Sequence, residues 1–375
     1  MKIALVNSRK PRRFRPDEPW LRWTMALGHA IARCGHTLCA SVGTIGYESA
    51  LFGAAMGDGK FEAFVTKGTE QDVADCLPRK ASANVVSVRI LPEGAANAEV
   101  ERDRAIMDAA DVVIAVSVRS GGHMESLLRA RLEAGRRIEV VFPCDDGPHF
   151  RGNRKLLELG APPVDEHLLH VAREYLDSRP SEDHTLDWGS FFPEWRTSPL
   201  ARPTLAHFTR SADGSWPGQF RWEYLEDLWH GGPRARRDGA AALWRILQSS
   251  TLRASSRLIR GRYPVVSFTA VSPERIGELY RYRPHLIRWD FESFGVVFDR
   301  DWLAKRNVHP VKYLPKASFR TLSPDEKPWF QKHEPPGCDY TMEEEWRHLG
   351  DLDFSDAPRD VVRIITGAGA VDART

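Results

Sequence analysis

The run 111–117 (DVVIAVS) sets the firmest limit on what this chain can fold into. It is short, apolar and β-branched, as expected of a strand buried on both faces of a parallel sheet. Arg119-Ser120-Gly121-Gly122-His123-Met124-Glu125 follows at once. Residues 126–135 then place Leu127, Leu128 and Leu132 on one helical face with Gly135 as a stop, and 138–142 (IEVVF) reads as the next strand. Strand, glycine pair, helix, strand is a βαβ unit. Two glycines at its corner let a ligand approach bare backbone beside helix amides that attract an anion. They also serve a tight turn with no ligand at all.

The same grammar runs from the start of the chain. Residues 3–6 form an opening strand that ends at Asn7-Ser8-Arg9, and a basic, proline-containing loop follows. Residues 20–34 have helical spacing (Leu21, Met25, Ile31) and close at Gly35. Residues 36–42 form a second strand, Gly43-Thr44-Ile45-Gly46 a second glycine corner, and Glu48, Ala50, Leu51 and Ala54 lie on the helix behind it. Residues 61–65 and 85–90 read as further strands. Alternation of this kind predicts an α/β, doubly wound parallel sheet, Rossmann-like, whose strand ends converge on one ligand-facing crevice.

Composition narrows the classes. At 375 residues the chain is long enough for two domains, and a formal net charge of +2 demands neither nucleic acid nor a membrane surface. No apolar run reaches the length of a membrane span, and MKIALVNSRKPRR reads as a strand rather than a secretory signal. Five cysteines without a CxxC fit a reducing, cytoplasmic setting and argue against structural zinc, so no metal site is expected.

Over about residues 1–145, three segments carry a family resemblance: NSR after the first strand, SVGTIGYESALFGAA after the second, and ADVVIAVSVRSGGHMESLLRARLEAGRRIEVVFP. Together they resemble the Rossmann-like SLOG superfamily, and within it the DNA-processing protein A type. The resemblance implies a nucleotide site at Ser8, Arg9, Gly43, Gly46, Arg119, Ser120, Gly121, Gly122 and Glu125. Asn7 stands where that family has glycine. Lysine decarboxylase-like relatives, which cleave nucleotide N-glycosidic bonds, carry P-G-G-x-G-T-x-x-E, and the stretch 120–125 lacks the G-T pair. Glu125 remains available there as a ligand-facing carboxylate, or as a solvated first-turn residue favoured by the helix dipole. SLOG domains act both as sensors and as enzymes, and their habit of dimerising implies a homo-oligomer.

Residues 148–203 read as a connector: a helix over 164–176, then a stretch without period packed by Trp188, Phe191, Phe192 and Trp195. His184 and Asp187 in that stretch have no supporting spacing. From 204 to 375 the pattern changes to short strands (205–209, 265–269, 295–298, 310–314, 361–366) among helical segments (220–229, 240–247, 301–303), which predicts an α+β domain with a mixed or antiparallel sheet. Eight arginines and one acidic residue, Asp238, lie between Arg234 and Arg262. Such a stripe suits DNA or RNA backbone, or simply arginine stems lying over a helix face.

HFTR at 207–210, LWRIL, SFT at 267–269, GVVF with WL, PV-x-Y and EEEWR at 343–347 together resemble the AbiGi-like abortive-infection family, linked with bacterial defence against phage. Their order is also similar to ADP-ribosyltransferases. That resemblance implies NAD as cofactor, with His207 or Arg210 on its ribose or pyrophosphate. Ser267 and Thr269 would line the nicotinamide pocket, and Glu345, or else Glu343, would bond the ribose and stabilise the oxocarbenium ion. The implied function is an anti-phage protein. A nucleotide-binding domain (1–147) would accompany an effector (204–375) that transfers ADP-ribose or hydrolyses NAD. Two other readings stay open: a non-catalytic nucleotide- or DNA-sensing regulator, and a nucleotide N-glycosidase centred on the first domain.

Overall fold

The computed structural model of this chain describes residues 1–11, 14–66, 70–77, 84–91, 97–142, 147–178, 202–272, 275, 279, 282–283, 288–289 and 292–366. Cys144, His184, Asp187 and the four connector aromatics lie outside the described residues. The chain separates into two compact units: Met1–His184 with Asp213–Arg236, and Thr185–Ala212 with Arg237–Thr375.

The first unit is the parallel sheet that the sequence predicts. Its strands are β1 (Lys2–Asn7), β2 (Thr37–Ser41), β3 (Lys60–Val65), β4 (Val85–Ile90), β5 (Val112–Ser117) and β6 (Ile138–Val140), in the order β4-β3-β2-β1-β5-β6. Helices α1 (Pro19–Arg33), α2 (Ile45–Met56), α3 (Glu70–Asp75), α4 (Ala98–Ala109), α5 (His123–Glu133), α6 (Arg151–Glu158) and α7 (Glu166–Asp177) supply the crossovers and flanks. β5 is buried at every position, as its unbroken apolar run requires. From β1 the chain works outward to β4, then returns to lay β5 on the other side of β1. Loops leaving β1 and β5 therefore diverge at the carboxyl ends of these strands, the switch point at which such sheets take ligands.

Helices α1 and α2 meet at backbone distance. A Cβ on Gly53 would stand 1.9 Å from the Met25 carbonyl oxygen, and one on Gly28 would stand 2.3 Å from that of Ala50. The Gly/Ala-rich face of α2 is thus a packing surface, and it fixes where α2 begins. Segment Asp213–Arg236 also belongs to this unit. Its helix α8 (Arg221–His230), followed by the short α9 (Gly232–Ala235), buries Tyr224, Leu225, Leu228 and Trp229 against Trp20, Leu21 and Met25 of α1 and Phe52 of α2.

The second unit carries β7 (Thr204–Phe208), β8 (Thr251–Leu252), β9 (Val265–Thr269), β10 (Tyr282–Arg283), β11 (Arg288–Trp289), β12 (Gly295–Asp299), β13 (His309–Pro310), β14 (Lys312–Leu314), β15 (Phe330–Lys332), β16 (Glu345–Leu349), β17 (Leu352–Asp353) and β18 (Val362–Ile365), with helices α10 (Gly239–Ser249) and α11 (Arg300–Ala304). Its main sheet runs β13-β16-β9-β7-β12-β18 and is antiparallel at every pairing. One face buries Leu205, Val266, Phe268, Val296 and Phe298 with Leu243 and Leu247 of α10. The other buries Ala206, Phe208 and Val297 with Val271 and Leu279.

Several expected elements shift. The helix expected over 126–135 begins at His123, so Glu125 lies in its first turn. The strand expected over 138–142 stops at Val140, and Phe142 is exposed. The strand expected over 310–314 divides: β13 pairs with β16, whereas β14 runs parallel to β15 in another sheet. The helix expected over 301–303 begins at Arg300, and Asp299 caps it, accepting the Trp302 amide at 2.9 Å. Residues 341–343 form a 3-10 turn, and Glu344 at φ 44° breaks the chain into β16.

Candidate functional site

The crevice is assembled from three loops that interlock. After β1, the Ser8 amide donates to the Ser117 carbonyl at 2.9 Å, and the Ser8 hydroxyl accepts the Arg119 amide at 2.9 Å. Asn7 lies against Gly46, whose missing Cβ would stand 3.4 Å from that of Asn7. The corners at 7–9, 43–46 and 119–122 thus share one sheet edge, as the strand pattern predicts.

Both glycine corners are built alike. Gly43 (φ 86°) and Gly121 (φ 74°) take the left-handed conformation that favours glycine. Each donates its amide to a buried glutamate of the helix that follows. Gly43 bonds Glu48 at 2.9 Å, and Gly121 bonds Glu125. Glu48 also accepts Arg221 of α8, with Nε at 2.7 Å. The other oxygen of Glu125 is buried 4.0 Å from Arg129 and 4.0 Å from Lys155, and it accepts no hydrogen bond among the described residues. At 3% exposure Glu125 is not the solvated first-turn residue: one oxygen braces its corner and the other is buried without a hydrogen bond among the described residues.

What these braces leave free is the helix ends. Neither Thr44 before α2 nor Gly122 before α5 provides a side-chain cap. The first amides in each helix to bond backward are Glu48 to Thr44 and Ser126 to Gly122. The amides of Ile45, Gly46 and Tyr47, and of His123, Met124 and Glu125, therefore remain unspent among the described residues. Such amide sets attract anions.

Lys10 completes the edge, and no sequence motif pointed to it. Its Nζ donates to Ser117 Oγ at 2.6 Å and lies 4.8 Å from the centre of the Trp20 ring. Burial, and then the positive charge of Arg119, push its pKa down to about 7. The charge of Glu18 acts on it in the opposite sense, but among the described residues it forms no ion pair. The available signal was a lysine two residues beyond Ser8 in the loop leaving the first strand. Arg9 and Arg119 are both exposed.

In the second unit, the residues expected to form a transferase site are divided by the sheet. β16 and β9 pair Arg347 with Ser267 and Glu345 with Thr269, and β7 pairs Ala206 with Thr269. Alternation puts Ser267, Thr269, Glu345 and Arg347 on one face. His207 is on the other, edge-on to Phe268. Burial pushes the His207 imidazole down to about 4, and its Nδ1 sits 2.9 Å from the Ser267 carbonyl. Glu345 is held by fully buried Arg347 (Nε to Oε1 at 2.8 Å, Nη2 to Oε2 at 3.0 Å) and by Ser267 Oγ at 2.9 Å. Arg347 also donates to the Pro328 and Phe330 carbonyls and to Gln331. The Thr269 hydroxyl donates to the Glu343 carbonyl at 2.6 Å and accepts the Val271 amide at 3.1 Å. Tyr313, pushed up to about 12 by burial, accepts the Glu345 amide. Arg210 follows β7, half-buried. His207 is thereby separated from the other four, and the Glu345 carboxylate is committed to an ion pair.

Among the described residues no group of His, Cys, Asp and Glu is placed to hold a metal, and no helix is long and apolar enough to cross a membrane.

No protein-family model matches the chain, and no curated protein matches it. Among solved structures, the N-terminal region resembles DNA processing protein A from Streptococcus pneumoniae, at 16% identity and TM-score 0.37 over 45% of this chain and 60% of that one. The Helicobacter pylori counterpart, described by its single-stranded DNA binding mode, gives 16% and 0.35 over 47% and 81%. A molybdenum cofactor binding protein from Rippkaea orientalis gives 16% and 0.32 over 46% and 94%.

Proposed function

We propose that the first unit is a nucleotide-binding module. It takes the phosphate of its ligand at the carboxyl ends of β1, β2 and β5, and it binds that ligand without consuming it. The observation that carries this reading is a concentration of unspent donors at one edge. Two helix N-termini without side-chain caps share this sheet edge with Lys10, a half-buried ammonium that forms no ion pair among the described residues. A phosphate satisfies both kinds of donor at once. Gly43 and Gly121, with nothing within 4 Å of a Cβ placed on them, keep the approach open. Ser8 and Ser120 offer hydroxyls, and Arg9 and Arg119 supply charge at the rim. A sensing role is favoured because Glu48 is taken by Gly43 and Arg221, and one oxygen of Glu125 by Gly121. NAD, as a pyrophosphate, belongs to the ligand class that such an edge accepts, as do mononucleotides.

Isothermal titration with AMP, ADP and NAD against unphosphorylated adenosine tests this. The phosphate-bearing compounds bind, adenosine does not, and Lys10→Ala weakens binding at least about tenfold, the loss expected for one charge-assisted hydrogen bond. Adenosine binding as tightly as AMP would refute a phosphate cradle. Release of free base during the titration would refute binding without turnover.

A further inference from the structure

The arginine-rich span 234–262 does not survive folding as one stripe. Arg234 and Arg236 belong to the first unit, and the remainder to the second. Arg253 is paired with Asp351 at 2.6 Å. The loop 255–265 behaves differently. Reciprocal bonds close it, with the Ser255 amide to the Val265 carbonyl at 2.9 Å and the Val265 amide to the Ser255 carbonyl at 3.3 Å. It carries Arg257, Arg260 and Arg262.

Arg260 fixes this loop to a second segment. Its guanidinium lies 4.8 Å from the Phe319 ring centre and 5.8 Å from that of Phe330. Lys327 approaches Phe319 at 5.7 Å. Gly261 (φ 81°) fits where a Cβ would stand 2.5 Å from Tyr263 and 3.0 Å from Phe319. Phe319 lies in the 3-10 turn Lys316–Arg320, so the loop and the turn share one surface. Arg257, Arg260, Arg262, Arg320 and Lys327 form no ion pair among the described residues. Two carboxylates lie near by and are both held: Glu326 by Lys312 at 2.8 Å, and Glu334 by Lys332 at 2.9 Å and the Lys316 amide at 2.9 Å.

This concentration of charge is not a by-product of a basic chain, since the whole sequence carries only +2. Guanidinium groups match phosphate oxygens in a fork geometry, and several unpaired ones on one surface match a line of phosphates. Half-buried Tyr263 adds ring surface of the kind on which bases stack. We propose that the loop 255–265 and the turn Lys316–Arg320 together form a docking surface for a nucleic-acid backbone, separate from the crevice of the first unit.

Fluorescence anisotropy of the full chain with labelled single-stranded DNA, duplex DNA and RNA over a salt series tests this. The wild type binds at least one of the three. Arg257→Glu, Arg262→Glu and Arg320→Glu combined weaken it more than about tenfold and lower the slope of log affinity against log salt by about 2–3, since each phosphate neutralised adds about 0.7–0.9 to that slope. The matching triple lysine variant keeps the slope, which separates charge from folding. Three results would overturn the proposal: no binding of any probe at low salt, an unchanged slope in the glutamate variant, or competition by poly-glutamate as strong as by unlabelled oligonucleotide. Loss of binding in Lys10→Ala with retention in the triple glutamate variant would move the nucleic acid to the crevice and overturn it equally.

Discussion

Lys10 and Arg347 are both cations withdrawn from water, and they show how differently the two units use polar groups. Arg347 is spent: a glutamate, a glutamine and two carbonyls take its donors. Glu292 in the same unit likewise accepts the Ser211 and Gly239 amides at 2.6 and 2.7 Å. Lys10 has one hydroxyl, a long approach to a carbonyl at 3.4 Å and the Trp20 ring at 4.8 Å, on an edge where two helix ends also lack partners. A satisfied buried charge supports a fold. An unsatisfied one at a strand switch point is an invitation to a ligand.

Substitution of the two cations breaks or sharpens this contrast. The largest effect falls on Arg347→Leu, which strands Glu345 and should cost about 3–5 kcal/mol in urea denaturation; a loss under about 1 kcal/mol would mean that the pair is dispensable. Lys10→Met should do the opposite. Stability is retained within about 0.5 kcal/mol, while affinity for AMP falls about 10- to 100-fold, or about 1.4–2.7 kcal/mol. Glu125→Gln, which weakens the brace on Gly121, should cost about 1–2 kcal/mol in stability, and a thermal melt would detect it.

Smaller effects are expected from pH. Below about 7 the Lys10 ammonium is charged, so affinity for a phosphate ligand should be highest there. It should fall as pH rises through that value, while Lys10→Arg removes the decline. His207 works on stability. Its folded-state pKa of about 4 is below the usual 6.5, so the unfolded chain takes up a proton first. Stability is therefore fully present above about 6.5 and is lost as pH falls toward 4. His207→Phe should flatten that slope in acid melts of the second unit.

Much of the first unit was legible because its signals are local. Buried strands such as 111–117 announce themselves by composition, and the glycine corners by spacing. Helices α4 and α6 are not legible in the sequence because their apolar residues are few among charges, and their buried faces are set by packing. The role of Gly28 and Gly53 was hidden for a related reason: only the approach of the other helix explains a missing side chain. Glu125 illustrates a deeper limit. Its position in a first helical turn is readable, but whether its carboxylate turns to the ligand or back to Gly121 depends on a φ angle four residues earlier. In the second unit, strands β9, β12 and β18 were readable from their β-branched runs, and β7 from a short apolar one. Their registry was not, and registry alone decides that His207 and Glu345 face opposite ways.

A crystal structure of the chain with AMP tests the central claim most directly. The phosphate is expected at the carboxyl edge of the first sheet, within hydrogen-bonding reach of the opening amides of α2 or α5 and of Lys10 Nζ. A phosphate located elsewhere, with Lys10 still bonded only to Ser117, would contradict that claim.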